Sequence, residues 1–310
     1  MYTNTTAGSW KKSRLGTVGI PAEIAINIII GAFSLICVIP FIFVIIISFS
    51  AESSIREIGF SFIPNVLSLE AYRFVAEMGD QLWRSFFNSI FISVVGTILS
   101  LLICIMYSYA IYRTDFKYRK LFTLFSFITM VFGGGLAPTY MICKNLLGLN
   151  DNYAALIVPL LVNPFNFIIL RTFFQGSVPD SIIESAAIDG SGEYRTLFQI
   201  ITPISTPGIA TIGLLNILAY WNEWFIALLY INSPKYIPLQ YLLIKMQQQV
   251  DFLANNSSKL GAQAAIAAAS LPRESLRMAL VVIIVIPIAF AYPFFQRYII
   301  SGLTVGAVKG

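Results

Sequence analysis

The sequence contains no histidine and few charged side chains. Only 11% of its 310 residues are Asp, Glu, Lys or Arg, whereas soluble domains carry about 25%. Without histidine the chain lacks the commonest general base, metal ligand and pH switch. Its cysteines are odd in number and far apart, so they indicate neither a disulfide framework nor a metal site. They are Cys37, Cys104 and Cys143.

Motifs for nucleotide hydrolysis and covalent catalysis are also absent. A P-loop needs G-x-x-x-x-G-K-[ST] so that backbone amides can hold phosphate, but the glycine run at 133–135 leads into Leu-Ala-Pro without a lysine. Neither G-x-S-x-G nor H-E-x-x-H occurs. We therefore do not expect an enzyme or a bound cofactor. The net charge of +5 has no clustered basic face, which does not suggest nucleic-acid binding.

What the chain has instead is apolar length, since 57% of its residues are hydrophobic. The pattern predicts an all-α integral membrane protein with six transmembrane helices. We place these spans at 24–49, 86–112, 121–142, 153–174, 209–231 and 276–295. They form a transmembrane domain over 21–300, between an N-terminal tail (1–20) and a C-terminal tail (301–310). Amphipathic helix is expected around residues 69–78.

Lysine and arginine near the span ends set the predicted orientation. With both termini in the cytoplasm, the basic residues at 11–14, 113–120, 171, 195 and 297 all lie inside. The loop between the third and fourth spans then lies outside and carries Lys144 alone. The polar segment 177–203 is cytoplasmic in this arrangement.

The 177–203 loop is a polar stretch between long apolar spans, and it predicts two short helices. Ser181 and Glu184 have the spacing of a capping box. Gly190 is placed to end the first helix in the left-handed conformation. A second amphipathic turn, with Tyr194, Leu197, Phe198 and Ile201 on one side, runs to Pro203. A helix pair of this kind beside a bilayer suggests a docking surface for another subunit.

The same loop resembles that of permease subunits of bacterial ABC importers. Residues 184–203 match the pattern E-A-A-x-x-x-G-x9-I-x-L-P, except that Ser185 replaces alanine and Thr202 replaces leucine. Further sequence features extend the resemblance. I-D-G at 188–190, W-N-E-W at 221–224 and the G-L-T-V-G-A-V-K-G ending resemble the MalG-like sugar permease branch. The run at 133–140 resembles its LplC/YtcP-type subgroup.

The resemblance implies an ABC importer permease fold in a bacterial plasma membrane. It implies a second homologous permease subunit, two ATPase subunits that use ATP and Mg, and an extracytoplasmic solute-binding protein. The substrate would be an oligosaccharide or similar sugar that passes by alternating access. An ABC permease for a non-sugar solute is the alternative. An ion-coupled secondary transporter would predict several intramembrane carboxylates and inverted repeats, which the sequence does not offer.

The resemblance also suggests which residues dock the ATPase, although each has a purely structural reading. Glu184 either completes the capping box or contacts a basic ATPase residue. Small residues of the loop pack against this chain's own spans or let the ATPase approach closely. Asp189 is a helix cap or a contact. The docking candidates are Glu184, Ser185, Ala186, Ala187, Asp189 and Gly190; those of the tail, which is either frayed or inserted near the ATPase, are Gly302, Thr304, Gly306 and Lys309.

Candidate substrate-pathway residues lie in the fourth and fifth spans. Amides beside Pro164 either satisfy the backbone that proline frees or line a pathway. Polar and aromatic residues of the fifth span either form a sugar cavity or belong to an interfacial aromatic belt. The candidates are Asn163, Asn166, Asn216, Tyr220, Trp221, Asn222, Glu223 and Trp224.

Overall fold

The computed structural model describes residues 20–256 and 271–307, so the predicted N-terminal tail lies almost entirely outside it. Within these ranges the regular secondary structure is helical, which confirms the all-α class. The α-helices are α1 Ile20–Ser48, α2 Glu52–Ile58, α3 Glu70–Ala76, α4 Asp80–Tyr112, α5 Arg119–Val131, α6 Leu136–Met141, α7 Tyr153–Ile157, α8 Pro164–Ser177, α9 Asp180–Ile188, α10 Glu193–Arg195, α11 Thr202–Ile204, α12 Thr206–Trp221, α13 Phe225–Tyr230, α14 Leu239–Asn256 and α15 Arg273–Ala307. Shorter helical turns follow α6 (Ile142–Leu146), α7 (Val158–Leu160) and α10 (Thr196–Ile201), and another spans Pro234–Tyr236. Helix α3 confirms the amphipathic helix expected there.

Three of these helices are long and apolar enough to cross a bilayer without interruption. They are α1, α4 and the first part of α15, each at least as long as the roughly 20 residues that hydrocarbon about 30 Å thick requires. The most apolar stretch of α1 contains no residue buried within this chain. That helix packs along α15 and leaves most of its surface to lipid or another subunit.

Three further candidate spans are bent pairs of helices. The axes of α5 and α6 meet at 112°, those of α7 and α8 at 51°, and the segment from α10 to α11 meets α12 at 84°. The predicted third and fourth spans contained a glycine run and prolines, and the chain breaks there because these residues interrupt helical hydrogen bonding. Gly135 adopts φ +84°, and Pro164 begins α8. The described chain therefore has three uninterrupted spans, or up to six if each bent pair is one.

Later boundaries also differ from the prediction. The expected fifth span, 209–231, stops at Trp221 and resumes as α13 at Phe225. The expected loop 232–275 contains α14, and its residues 257–270 lie outside the described range. Helix α15 continues through the predicted tail as far as Ala307. Its Gly302, Thr304 and Gly306 are therefore helical, while Lys309 lies outside the described residues.

Helix α4 packs against α5, α8, α12 and α14 through a face of small residues. Small side chains let helix backbones approach closely inside a membrane. The ring of Tyr220 on α12 lies so close to Gly96 that an added Cβ would be 2.5 Å from the ring atom Cζ. The buried small residues recur every three or four positions: Ser85, Ser89, Ser93, Gly96, Ser100, Cys104 and Ser108.

Polar side chains of α4 bind backbone groups where neighbouring helices are broken or end. The Ser100 hydroxyl donates to the carbonyl of Leu161, at the break between α7 and α8, over 3.0 Å. The Tyr112 hydroxyl donates to the carbonyl of Val178, after α8, over 3.0 Å. Asn88 donates to two carbonyls in the loop before α14. An unpaired backbone group in hydrocarbon costs several kcal/mol. These hydrogen bonds therefore allow the neighbouring helices to break or end without leaving those carbonyls unpaired.

A buried carboxylate from α2 caps the first turn of α15. Glu52 is 8% exposed. Its Oε2 accepts hydrogen bonds from the backbone amides of Glu274 (3.0 Å) and Ser275 (3.2 Å) and from the Ser275 hydroxyl (3.2 Å). A helix N-terminus favours a negative group because its first amides have no partner within the helix. Glu52 therefore joins the loop after α1 to the start of α15.

We expect Glu52→Ala to lower the free energy of unfolding by about 1–3 kcal/mol, because it removes the acceptor for buried donors. Glu52→Gln keeps one acceptor oxygen and should cost less. Thermal unfolding in detergent measures both changes. Glu57→Ala, an exposed glutamate on the same helix, is the control. Equal stability losses in Glu52→Ala and Glu57→Ala would contradict the capping role.

Candidate docking site and substrate pathway

The C-terminal end of α9 forms a Schellman motif around Gly190. The amide of Gly190 donates to the carbonyl of Ala187 (3.1 Å), and the amide of Ser191 donates to the carbonyl of Ala186 (2.9 Å). These are the two crossed bonds of that motif. Gly190 has φ +74°, which a side chain at Cβ would strain. The predicted glycine stop is confirmed, and Asp189 occupies the C-cap with an exposed side chain.

The predicted capping box between Ser181 and Glu184 is wrong. Helix α9 begins at Asp180 with Pro179 at its N-cap, and no side chain caps it. Ser181 therefore already lies within the first turn, and its carbonyl accepts a hydrogen bond from the Ser185 hydroxyl over 2.8 Å. Asp180 supplies the negative charge that the N-terminus favours. Glu184 is exposed and does not cap the helix.

The small residues of α9 divide between its two sides. Ala186 is 5% exposed and packs inward. Ser185 and Ala187 are exposed, as is Gly190. The internal-packing reading therefore fits Ala186, while Ala187 presents a small side chain on the outer surface. Glu184 and Ala187 line a groove of about 230 Å³ that also includes Arg113.

An ion-pair cluster that the sequence analysis missed holds this loop against the end of α4. Arg113 binds the carboxylates of Asp115 (2.6 Å) and Glu193 (3.1 Å). Its guanidinium also donates to the hydroxyl of Tyr109 (3.1 Å), which in turn donates to Glu193. Hydrogen bonding from Arg113 lowers the pKa of the Asp115 carboxyl below its usual value. The cluster joins the loop after α4 to the first residue of α10.

The final turn of α4 holds both limbs of the 177–203 loop, named here the docking loop: the first limb leads into α9, and the second begins with α10. Tyr112 binds the carbonyl of Val178 just before α9, and its hydroxyl lies 3.5 Å from an Asp180 oxygen. Tyr109 and Arg113 bind the second limb through Glu193. In the sequence, Arg113 stands out only as one of the basic residues that set the membrane orientation. The spacing of Tyr109, Tyr112 and Arg113 could have indicated this role, because residues three and four apart along a helix share one face.

The second limb buries only half of its predicted apolar face. Leu197 and Ile201 are buried, whereas Tyr194 is 73% exposed and Phe198 is partly exposed. A π-helical turn over Thr196–Ile201 interrupts the regular α-helical spacing on which that prediction depended. The helical run also passes Pro203 and ends only before Ser205. Ile188, which is 86% exposed, precedes the Schellman turn, and Tyr194 follows it. Both side chains lie on the surface.

Two aromatic candidates of the fifth span join helices inside this chain. The Tyr220 hydroxyl donates to the carbonyl of Ile157 over 3.0 Å. The Trp221 Nε1 donates to the carbonyl of Ile284 on α15 over 3.2 Å, and its ring meets Phe86 edge-on. Both side chains are buried. Their polar atoms are therefore already bonded within the bundle.

The next three candidates lie at the break between α12 and α13. Asn222 is exposed and donates to the carbonyl of Leu218 on its own helix over 2.9 Å. Glu223 is half-buried, and its Oε1 accepts from the amide of Ile226 over 2.8 Å, so it caps α13. Trp224 is also half-buried. Among the candidates of the fifth span, these three retain an accessible surface.

The three asparagine candidates of the fourth and fifth spans all form hydrogen bonds within this chain. Asn163 caps α8 by accepting from the amide of Phe165 over 3.1 Å. Asn166 donates to Asn216 over 2.8 Å, and Asn216 donates to Ser100 over 3.1 Å. Asn166 and Asn216 are buried, so the three helices α8, α12 and α4 share one polar network. A pathway role for these residues remains a prediction.

We expect Arg113→Gln to loosen the second limb of the docking loop, because it removes the charge that holds Glu193. Amides of residues 192–196 should then exchange with deuterium at least several-fold faster. Hydrogen exchange of the detergent-solubilised protein measures the change. Arg195→Gln is the matched control, since Arg195 is exposed and bonds to Gln199 on its own segment. Unchanged exchange in Arg113→Gln would contradict the holding role.

Comparison with known proteins identifies the family. The family model described as "Binding-protein-dependent transport system inner membrane component" matches residues 118–305, more than half of the chain. The chain is 37% identical over 278 residues to a polygalacturonan/rhamnogalacturonan transport system permease protein, YtcP, of Bacillus subtilis, covering 90% of this chain and 94% of the relative. It is also 37% identical to protein LplC of that organism, covering 91% and 92%.

A solved structure agrees with this result. A bacterial ABC transporter involved in the import of the acidic polysaccharide alginate superimposes with a TM-score of 0.71 at 28% identity, covering 90% of this chain and 96% of the solved chain. The resemblance to the MalG-like branch and its LplC/YtcP-type subgroup is confirmed. The relatives are membrane permeases rather than enzymes. The chain belongs to the binding-protein-dependent transport system inner membrane component family, as a membrane-spanning permease of the sugar ABC transporter type.

Proposed function

We propose that this chain forms one half of the membrane channel of an ATP-driven oligosaccharide importer, with α9 as its contact to an ATPase. One observation carries the proposal. Helix α9 is closed by a Schellman turn, exposes Glu184 and Ala187, and is held to the end of α4. A short exposed helix fixed to a long span can transmit a push from a separate motor. Nothing in the sequence supplies a nucleotide-binding motif of its own.

The proposed assembly contains a second permease of the same family, two ATPase subunits and an extracytoplasmic solute-binding protein. ATP and Mg would be held by the ATPases. Their closure would move α9, and α4 with it, and so switch the access of a cavity between the two permeases. The unburied surface of α1 and the exposed faces of α5 leave wide apolar areas for lipid or the second permease.

The proposed cargo is an oligosaccharide, on the strength of the relatives named for polygalacturonan and rhamnogalacturonan, and for arabinooligosaccharides. Asn222, Glu223 and Trp224 of the W-N-E-W motif retain an accessible surface. They offer amide, carboxylate and indole groups that suit sugar hydroxyls and C–H faces. A non-sugar ABC permease is the alternative. A secondary transporter is disfavoured because the sequence offers Glu223 alone as a plausible intramembrane acid, whereas such transporters use several.

We expect Glu184→Gln to weaken retention of the ATPase about tenfold or more, because a charge-assisted hydrogen bond is worth roughly 1.5–3 kcal/mol. The change should leave α9 intact, since Glu184 caps nothing. Affinity purification through a tag on this chain, followed by quantification of the ATPase, measures the effect. Glu57→Gln, at an exposed glutamate on α2 and away from α9, is the control. Retention equal to wild type would remove the charge contact from the proposal.

We expect Glu223→Gln to reduce uptake of the preferred oligosaccharide several-fold without lowering the thermal unfolding temperature. Glutamine retains an oxygen acceptor for the Ile226 amide, so the cap of α13 survives while the charge is lost. Uptake of galacturonate and arabinose oligosaccharides into vesicles measures the effect. Unchanged uptake of both would assign the motif to an interfacial aromatic belt instead.

A further inference from the structure

The groove between α5 and α8 combines three cations with an apolar wall. It has a volume of about 640 Å³ and is lined at one end by Arg119, Lys120 and Arg171. Its lining includes no acidic residue. Within residues 20–256 and 271–307, none of the three cations forms an ion pair. The groove therefore presents positive charge without a counter-charge from this chain.

Arg171 is the cation that α8 contributes to the groove. Its Nε is buried and has no hydrogen-bond partner in the part of the chain that the structure describes. A buried guanidinium N–H without an acceptor costs about as much as a lost charged hydrogen bond. A phosphate at this end of the groove can accept hydrogen bonds from an arginine guanidinium in a bidentate manner.

From its cations to the end of its apolar wall, the groove has about the length of one bilayer leaflet. Leu124, Phe127 and Met130 follow each other along α5 at three-residue spacing, and all three are exposed. From Lys120 to Met130 the helix rises about 15 Å, at 1.5 Å per residue. That distance is roughly half of a 30 Å hydrocarbon core. The cations thus lie at headgroup level when the apolar wall lies among acyl chains.

The cations lie at the same end of the molecule as the docking loop. Helix α5 begins a few residues after α4, whose last turn binds Val178 and Asp180. Arg171 lies in the last two turns of α8, which leads directly into that loop. Basic pockets between transmembrane helices on this side of a membrane are suited to anionic headgroups.

We propose that this groove binds an anionic phospholipid of the leaflet next to the docking loop. Arg119, Lys120 and Arg171 hold its phosphate, and an acyl chain lies along Leu124, Phe127 and Met130. The lipid supplies the counter-charge that the lining of the groove lacks and fills the space beside the half-span α5. This site is separate from the proposed ATPase contact and sugar pathway.

The test uses the full-length chain, with the subunits that co-purify, in nanodiscs of phosphatidylcholine and phosphatidylglycerol in equal parts. Native mass spectrometry counts the lipids retained. Wild type should retain phosphatidylglycerol in preference to phosphatidylcholine. The triple variant Arg119→Gln, Lys120→Gln, Arg171→Gln should lose affinity on the order of a hundredfold, at roughly fivefold per cation. The double variant Arg119→Gln, Lys120→Gln covers the case in which the change at Arg171 prevents folding.

The control is Lys144→Gln, Lys235→Gln, Lys245→Gln, which removes three exposed cations outside the groove. It should retain phosphatidylglycerol as wild type does. Equal loss in the control and groove variants, or no lipid preference in wild type, would overturn the proposal. Displacement of the lipid by inorganic phosphate would assign the site to a soluble anion instead. A last outcome concerns a cysteine placed in the groove by Phe127→Cys. If a membrane-soluble maleimide fails to label this cysteine in the lipid-free complex, another subunit covers the groove. That result would also overturn the proposal.

Discussion

Side chains of α4 donate hydrogen bonds to backbone carbonyls that breaks in the neighbouring helices leave without a partner. Ser100 binds the carbonyl of Leu161, and Tyr112 binds that of Val178. Hydrocarbon offers no water to such groups, so a broken helix is stable only where protein donors reach it. The small-residue face of α4 brings those donors close enough. The bends of the fourth span, and the exit of the chain into the docking loop, depend on this helix.

The docking loop inherits its position from the same helix. Tyr112 binds the chain before α9, while Tyr109 and Arg113 bind Glu193 after it. The Schellman turn at Gly190 then fixes the direction of the chain between these two contacts. The loop is therefore bonded to the last turn of α4 on both sides of α9. A force on α9 would reach α12 and α8 through the packing of α4.

Polar residues within the membrane part serve three different purposes here. Asn166 and Asn216 join helices, and Asn163 and Glu223 cap helices at breaks. Arg119, Lys120 and Arg171 instead face a groove without any counter-charge. An intramembrane polar group is costly, so each must find a partner. For the three groove cations, the proposed partner is an anionic lipid.

The sequence alone determined the helical membrane class, the glycine stop of α9 and the family, because hydropathy, φ preference and loop spacing are local properties. It also placed Glu184 and Gly190 in one loop. Only the tertiary structure decided that Ser181 caps nothing, that α12 ends at Trp221, and that Tyr220 and Trp221 bond other helices. The bonds of Tyr220 and Trp221 each join residues 63 positions apart in the chain. No local pattern records which distant carbonyl a side chain will reach.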